Sequence, residues 1–130
     1  VGGVLMKKIL AFLCSLLLVM SVLVGLTEQG ISWIATGKDG IDLPRAMELL
    51  CSHFGVARMA VTGGGHINGA FLQAGLLDEV SFMVAPGIDG RAGMPAVFDG
   101  IADSSRAATL LRLCSVKQMG ETVWMRYKFK

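Results

Sequence analysis

Three consecutive glycines, Gly63 to Gly65, lie between an apolar run and a helix-like segment in the stretch AVTGGGHINGAFL. Inside a regular element each glycine costs about 0.5 to 1 kcal/mol relative to alanine, because glycine loses more backbone entropy on folding. Glycine also has no side chain to bury. The triplet therefore predicts a joint between a strand and a helix, at which another group comes close to the backbone.

The segments around this joint predict alternating strands and helices. Strands are predicted at residues 31–35, 56–62 and 80–85, helices at residues 43–54 and 66–74, and two closing strands at residues 107–116 and 122–129. Asp42 is placed to cap the first helix, and Gly55 and Gly75 are placed to end the two helices. Short joints between alternating strands and helices are typical of parallel β-α-β units. We therefore expect an α/β fold with a mostly parallel sheet flanked by helices and a C-terminal antiparallel hairpin.

The glycine joint has the properties of an anion site. In a parallel sheet the helix begins at the carboxyl end of the strand, where free N–H groups and the positive end of the helix dipole point outward. A bare glycine backbone also lets a pyrophosphate approach more closely than any Cβ permits. A nucleotide phosphate is therefore the predicted occupant. The alternative is a tight joint that needs glycine only for positive φ and close helix packing.

The joint differs from two familiar phosphate motifs. A G-x-G-x-x-G pattern counted from Gly63 requires glycine where Asn68 stands, and the sequence contains no Gly-Lys-Ser/Thr.

An apolar run from Ile9 to Leu26 contains no charged residue and follows Lys7 and Lys8. This order is typical of a secretory signal or a membrane anchor, and the run shows no polar stripe at the helical period. No A-x-A triplet follows it, which favours an uncleaved anchor. We expect residues 1–29 to lie outside the folded domain, as an anchor, a signal or replaced sequence, and residues 30–130 to form that domain.

Charge and cysteine content exclude several classes of protein. Lys and Arg number 12 against 10 Asp and Glu, a net charge of +2 that is too small and scattered for a nucleic-acid partner. Cys14, Cys51 and Cys114 form an odd set without C-x-x-C spacing, and His53 and His66 are the only histidines. A disulfide framework and a metal site are therefore not expected. We expect three buried free thiols, and we place His53 on the surface.

Longer stretches carry a family resemblance over residues 30–130. AVTGGGHINGAFLQAGLLDEVSFMVAP, the loop GIDGRAG and the closing MGETVWMRYKF resemble the C-terminal part of the pyrimidine reductase domain of riboflavin biosynthesis. This is the C-terminal domain of the bacterial bifunctional deaminase-reductase, in the dihydrofolate reductase-like superfamily. The resemblance implies a dihydrofolate reductase-like fold and a cytoplasmic location, whereas the apolar run alone indicates membrane association or export.

The resemblance also implies an activity and a cofactor. It implies an NADPH-dependent reductase that converts the ribosyl group of a phosphorylated aminopyrimidine to ribityl. Gly63, Gly64 and Gly65 would receive the pyrophosphate of NADPH, and the helix beside them would open with His66, Ile67 and Asn68. The cofactor carries the chemistry in such enzymes, so no catalytic residue is assigned.

Three further residues have two interpretations each. By the resemblance, Lys38 would reach the adenosine side or the 2′-phosphate of NADPH, and a solvated turn lysine is the alternative. Asp89 and Arg91 would contact the phosphorylated substrate, and an ordinary Asp-Gly turn is the alternative.

The first half of the family's reductase domain has no counterpart in residues 1–29, so we expect the N-terminal part of the fold to be missing. Two hypotheses follow. The chain is an active reductase, or it is a truncated, catalytically weak remnant that keeps a nucleotide-binding turn. The remnant would be tethered to a membrane through residues 9–26 or held together as a homodimer.

Overall fold

The structure is a computed structural model that describes residues 17–130. Residues 17–28 are helical and are called α1 here. The other elements are α2 (Leu43–Phe54), α3 (Gly65–Gln73), β1 (Glu79–Val84), β2 (Leu111–Met119) and β3 (Thr122–Phe129). The first part of the predicted apolar run, residues 9–16, lies outside the described residues. Within residues 17–130 no helix has the length and apolar character needed to cross a membrane.

The chain divides into two compact units, Val1–Leu49 and Leu50–Lys130, and the division falls within α2. Two hydrophobic side chains are buried in residues 17–130, Ala46 in the first unit and Phe71 in the second, each 7% exposed.

In the first unit, α1 is followed by residues 31–37, which adopt no regular secondary structure. The turn after α1 uses Gly30 at φ 69°, and the indole N–H of Trp33 donates to Thr27 Oγ1 at 3.0 Å. The strand predicted at residues 31–35 is therefore wrong. A strand is stable only when a neighbour completes its hydrogen-bond ladder, and no described strand pairs with this segment.

Helix α2 confirms its prediction, including both ends. The Asp42 carboxylate accepts a hydrogen bond from the Arg45 backbone N–H at 3.0 Å, which caps the first turn. Gly55 ends the helix at φ 63°, and its N–H donates to the Cys51 carbonyl at 3.1 Å.

Helix α3 also confirms its prediction, with both ends shifted by one residue. It begins at Gly65 and ends at Gln73, and Gly75 at φ 68° closes it by donating to the Leu72 carbonyl at 3.2 Å. Residues 56–62 before it have no regular secondary structure, so the strand predicted there is wrong. The reason is the same as for residues 31–35, because no described strand pairs with them.

The sheet has three strands in the order β1-β3-β2, and both pairs are antiparallel. The predicted hairpin is confirmed, with β3 at its predicted bounds, β2 starting and ending later than predicted, and Gly120 at φ 62° in the turn. The strand predicted at residues 80–85 is also confirmed, as β1, with both ends one residue earlier. The predicted mostly parallel sheet is not found in the described residues. Parallel pairing would have used residues 31–35 and 56–62, which form no strands. The α/β class itself is confirmed.

The register gives the sheet one apolar and one polar face, because successive side chains alternate. On the apolar face the Phe82 ring meets Tyr127 and Phe98 edge to face, with centroids 6.2 and 6.4 Å apart. On the polar face Arg126 pairs with Glu79 at 2.6 Å. The polar face thus carries an ion pair, and the apolar face carries an aromatic cluster around Phe82.

Candidate functional site

The candidate site is the turn that leads into α3. Gly64 is the N-cap residue, with φ −72° and ψ −179°, and no side chain caps the helix. The first helical hydrogen bond runs from the Asn68 N–H to the Gly64 carbonyl at 3.1 Å. The N–H groups of the preceding residues have no partner within the helix, and the helix dipole makes this end positive. The turn therefore offers backbone donors to an anion.

The three glycines differ in what surrounds them. A Cβ at Gly63 would lie 2.7 Å from Ile67 Cβ, and a Cβ at Gly65 would collide with the Ala96 carbonyl oxygen and lie 3.0 Å from Asp99 Cβ. A Cβ at Gly64 would have no atom within 4 Å. None of the three has a positive φ. Close packing therefore explains Gly63 and Gly65, whereas neither packing nor backbone conformation requires glycine at position 64.

The structure brings the remaining predicted residues of the turn together with these glycines. His66 is exposed, and its ring lies against Gly100, where a Cβ would be 2.8 Å from His66 Cδ2. Ile67 is 48% exposed. Asn68 is half-buried and donates from Nδ2 to the Val97 carbonyl at 2.8 Å. Asn68 therefore contacts another segment of the chain.

That segment, residues 96–100, was not singled out from the sequence. The Asp99 N–H donates to the Gly65 carbonyl at 2.9 Å. A Cβ at Gly69 would collide with the Asp99 carbonyl oxygen. Gly65 and Gly69 are four residues apart, so they lie on the same face of α3. This spacing is the signal that indicates a close backbone neighbour.

Lys38 belongs to the first unit, where it lies exposed in the bend at residues 38–40. Gly37 has φ 84°, and the Asp42 N–H donates to the Thr36 carbonyl at 3.4 Å across this bend. Both interpretations of Lys38 stay predictions.

Asp89 and Arg91 form an exposed ion pair in the loop after β1. Arg91 Nε donates to Asp89 Oδ1 at 2.5 Å and Nη2 donates to Oδ2 at 2.7 Å. The Arg91 guanidinium holds the pKa of the Asp89 carboxyl below its ordinary value, and the carboxylate raises the pKa of Arg91. Gly90 between them has φ 67°. The Asp-Gly turn is present, and a substrate phosphate would have to compete with Asp89 for the guanidinium.

Cys51 and Cys114 are free thiols, as predicted, but both are exposed, so the prediction that they are buried is wrong. Cys114 lies at the bulge between Leu113 and Ser115, where the strand register shifts. Cys14 lies outside the described residues. His53 is exposed, as predicted. Within residues 17–130 no group of three His, Cys, Asp or Glu is placed to hold a metal ion.

Solved structures show the same fold. RibD of Acinetobacter baumannii superposes with a TM-score of 0.70 and 22% identity, over 82% of this chain and 28% of that protein. A pyrimidine reductase-like protein from Corynebacterium diphtheriae superposes with a TM-score of 0.69 and 23% identity, over 83% of this chain and 43% of that protein.

Sequence comparison points to the same group of proteins. The riboflavin biosynthesis protein RibD of Bacillus amyloliquefaciens is 28% identical over 99 residues, which are 75% of this chain and 26% of that protein. This chain thus matches about a quarter of the length of that relative. The family model of the RibD C-terminal domain matches residues 15–125, starting within the apolar run rather than near residue 30. Because this match covers most of the 130 residues, the chain belongs to the family of the RibD C-terminal domain.

Proposed function

We propose that this chain is the NADPH-binding part of a reductase that converts the ribosyl group of a phosphorylated aminopyrimidine to ribityl. Membership of the RibD C-terminal domain family supports the reaction class. The observation that carries the binding role is the environment of Gly64. It lies at the positive end of α3, without a capping side chain, and a Cβ there would have no atom within 4 Å.

The turn fits a pyrophosphate. Gly65, His66 and Ile67 contribute the first backbone N–H groups of α3, and these can donate to phosphate oxygens. The usual N-cap residues Ser, Thr, Asp and Asn would satisfy such donors with their own side-chain oxygen. Glycine at position 64 leaves the donors to a ligand and also leaves the space that the ligand needs.

Bound NADPH would supply the hydride, and the residues of this chain would bind and orient the cofactor. No residue of the chain is assigned as a general acid.

Gly64→Asp tests the proposal because it moves stability and binding in opposite directions. An aspartate at the N-cap position accepts hydrogen bonds from the donors that the phosphate needs, and its charge repels the phosphate. We expect the free energy of unfolding to stay equal or rise by a few tenths of a kcal/mol, while NADPH affinity falls by more than about tenfold. Calorimetric titration with NADPH and urea denaturation measure the two effects.

Gly87→Ala is the matched control. A Cβ at Gly87 also meets no atom within 4 Å, and its φ is not positive, but it lies in the loop after β1. Its NADPH affinity should equal that of the wild type. Equal affinities for wild type and Gly64→Asp would remove the phosphate assignment. Gly65→Val is less informative, because its side chain would collide with the Ala96 carbonyl oxygen.

Nucleotide binding without turnover is the second candidate function. This chain matches 43% of the length of the solved pyrimidine reductase-like protein. On the apolar face of the sheet, Val84, Leu113 and Val116 are 52%, 51% and 56% exposed, as expected where further chain normally covers a sheet. The described residues give no support to the predicted homodimer or membrane contact, and the proposal includes neither.

A further inference from the structure

Residues 96–100, called the strap here, run along the first turns of α3 and contact its backbone. The Asp99 N–H donates to the Gly65 carbonyl at 2.9 Å, and Asn68 Nδ2 donates to the Val97 carbonyl at 2.8 Å. One bond uses the backbone of the strap as donor and the other uses it as acceptor. The backbone of the strap therefore both donates to α3 and accepts from it, within one helical turn.

Glycines on both α3 and the strap permit this close approach, because they have no Cβ. A Cβ at Gly65 would collide with the Ala96 carbonyl oxygen, and a Cβ at Gly69 would collide with the Asp99 carbonyl oxygen. On the strap, Gly100 has φ 80°, and a Cβ there would lie 2.8 Å from His66 Cδ2. The Asp99 carboxylate accepts the Gly100 N–H at 2.7 Å, at the end of the strap.

Contact with the strap stabilises the first turn of α3, which follows the glycine turn. Helix α3 has no side-chain cap, so its first turn would ordinarily fray. The strap bonds to Gly65, the first helical residue, and to Asn68, one turn later. These bonds hold the first turn from its side and leave the end of the helix, at Gly64, open.

We propose that the strap is a positioning element for the glycine turn, with Asn68 as the positioning residue. The strap keeps the first N–H groups of α3 converging on one point, and binding of a phosphate at that point tightens the strap in return. The claim that phosphate binding tightens the strap rests on the proposed function. Reciprocity is required by linkage, because a strap that raises phosphate affinity must itself be stabilised by phosphate to the same extent.

Hydrogen exchange without nucleotide tests the positioning half. Asn68→Ala removes the donor to Val97, and Asn68→Asp replaces it at equal size with an oxygen that repels the Val97 carbonyl. We expect the two hydrogen-bonded amides that report on this contact, those of residue 68 and Asp99, to exchange about tenfold faster in both variants, with β3 unchanged. Gln73→Ala, at the exposed last residue of α3, is the matched control and should exchange as the wild type does.

Exchange with saturating NADPH tests the coupling half. In the wild type we expect NADPH to slow exchange of the Asp99 amide, an effect that a purely structural strap would not show. Calorimetry should give Asn68→Ala about five- to tenfold weaker NADPH binding, with Gln73→Ala unchanged. Gly69→Ala, which pushes directly against Asp99, should weaken binding in the same way if Asn68 variants fold poorly.

The outcomes separate this proposal from the function on which it rests. Equal exchange rates in wild type and both Asn68 variants overturn the positioning role, whatever the protein binds. NADPH binding with no change at Asp99 overturns the coupling. If the wild type binds no NADPH, the proposed function and the coupling both fail, while exchange without nucleotide still decides the positioning role.

Discussion

Gly64 and Gly65 are neighbours in one turn, yet their missing side chains serve different partners. The space beside Gly65 is filled by the strap, and the space beside Gly64 is open. A bound ligand and a packed segment of chain can each require glycine, because each comes close to the backbone. At the residue scale, function and folding are therefore distinguished by the surroundings of each glycine.

The ion pair between Asp89 and Arg91 leads to a prediction on pH. The folded-state pKa of Asp89 is lowered by the Arg91 guanidinium, so the pair forms above the ordinary value of 3.8 and is lost as the pH falls through the folded value. Arg91→Ala should raise the pKa of Asp89 towards 3.8. Titration of the Asp89 carboxyl carbon by NMR measures this shift.

Both side chains of this pair are exposed, so the thermal unfolding midpoint at neutral pH should hardly change in Arg91→Ala. An unaltered Asp89 titration in the variant would show that the pair does not persist in solution.

Among the secondary-structure elements, α2 is stabilised at its start by a local contact. The Asp42 carboxylate accepts the Arg45 N–H at 3.0 Å. A negatively charged aspartate at the start of a helix is also attracted to the positive end of the helix dipole. Asp42→Ala should lower the free energy of unfolding by about 0.5 to 2 kcal/mol. Urea denaturation followed by circular dichroism measures the change.

Asp42→Asn keeps the accepting oxygen and should recover most of the lost stability. Asp39→Ala removes an equal charge from the neighbouring bend and serves as the control. A loss in Asp39→Ala as large as that in Asp42→Ala would point to net charge rather than capping.

Side-chain contacts on the polar face of the sheet connect its central strand to an edge strand. β3 is central and pairs with both neighbours, while β1 and β2 form the edges. On the polar face the Trp124 indole N–H donates to Ser81 Oγ at 2.6 Å, and Arg126 lies 6.0 Å from the Trp124 ring centroid. The indole hydrogen bond joins β3 to β1, as does the ion pair of Arg126 with Glu79, whereas the contact of Arg126 with the Trp124 ring lies within β3.

For the whole molecule we predict binding without efficient turnover when these 130 residues are produced by themselves. Holding two reactants in register is worth roughly 7 to 11 kcal/mol of barrier lowering. The chain matches 43% of the length of the solved pyrimidine reductase-like protein, and the proposed function assigns no substrate-holding residue to these 130 residues. The pyrophosphate contact at Gly64 would survive alone.

The assay follows NADPH absorbance with the phosphorylated aminopyrimidine as substrate, and Gly64→Asp gives the background rate. Turnover on the order of 1 per second, ordinary for an intact enzyme, would show that the 130 residues contain a complete site.

The sequence by itself determined the elements whose signals are local. Both later helices and the closing hairpin lie at or near their predicted positions, because caps, turn glycines and side-chain periodicity act over a few residues. The glycines Gly63 to Gly65 lead into α3 as predicted, but the segment before them is irregular and not the predicted strand. The stretches around the joint were also sufficient to identify the family, which the match over residues 15–125 confirms.

Only the tertiary structure decided features that depend on partners distant in the chain. Residues 31–35 and 56–62 have strand-like composition, but no described strand completes their ladders, so they remain irregular. The strap reaches α3 from 29 residues away, through the bond from Asn68 to Val97. The strap fills the space beside Gly65 and leaves the space beside Gly64 open. Three identical residues in a row cannot show this distinction.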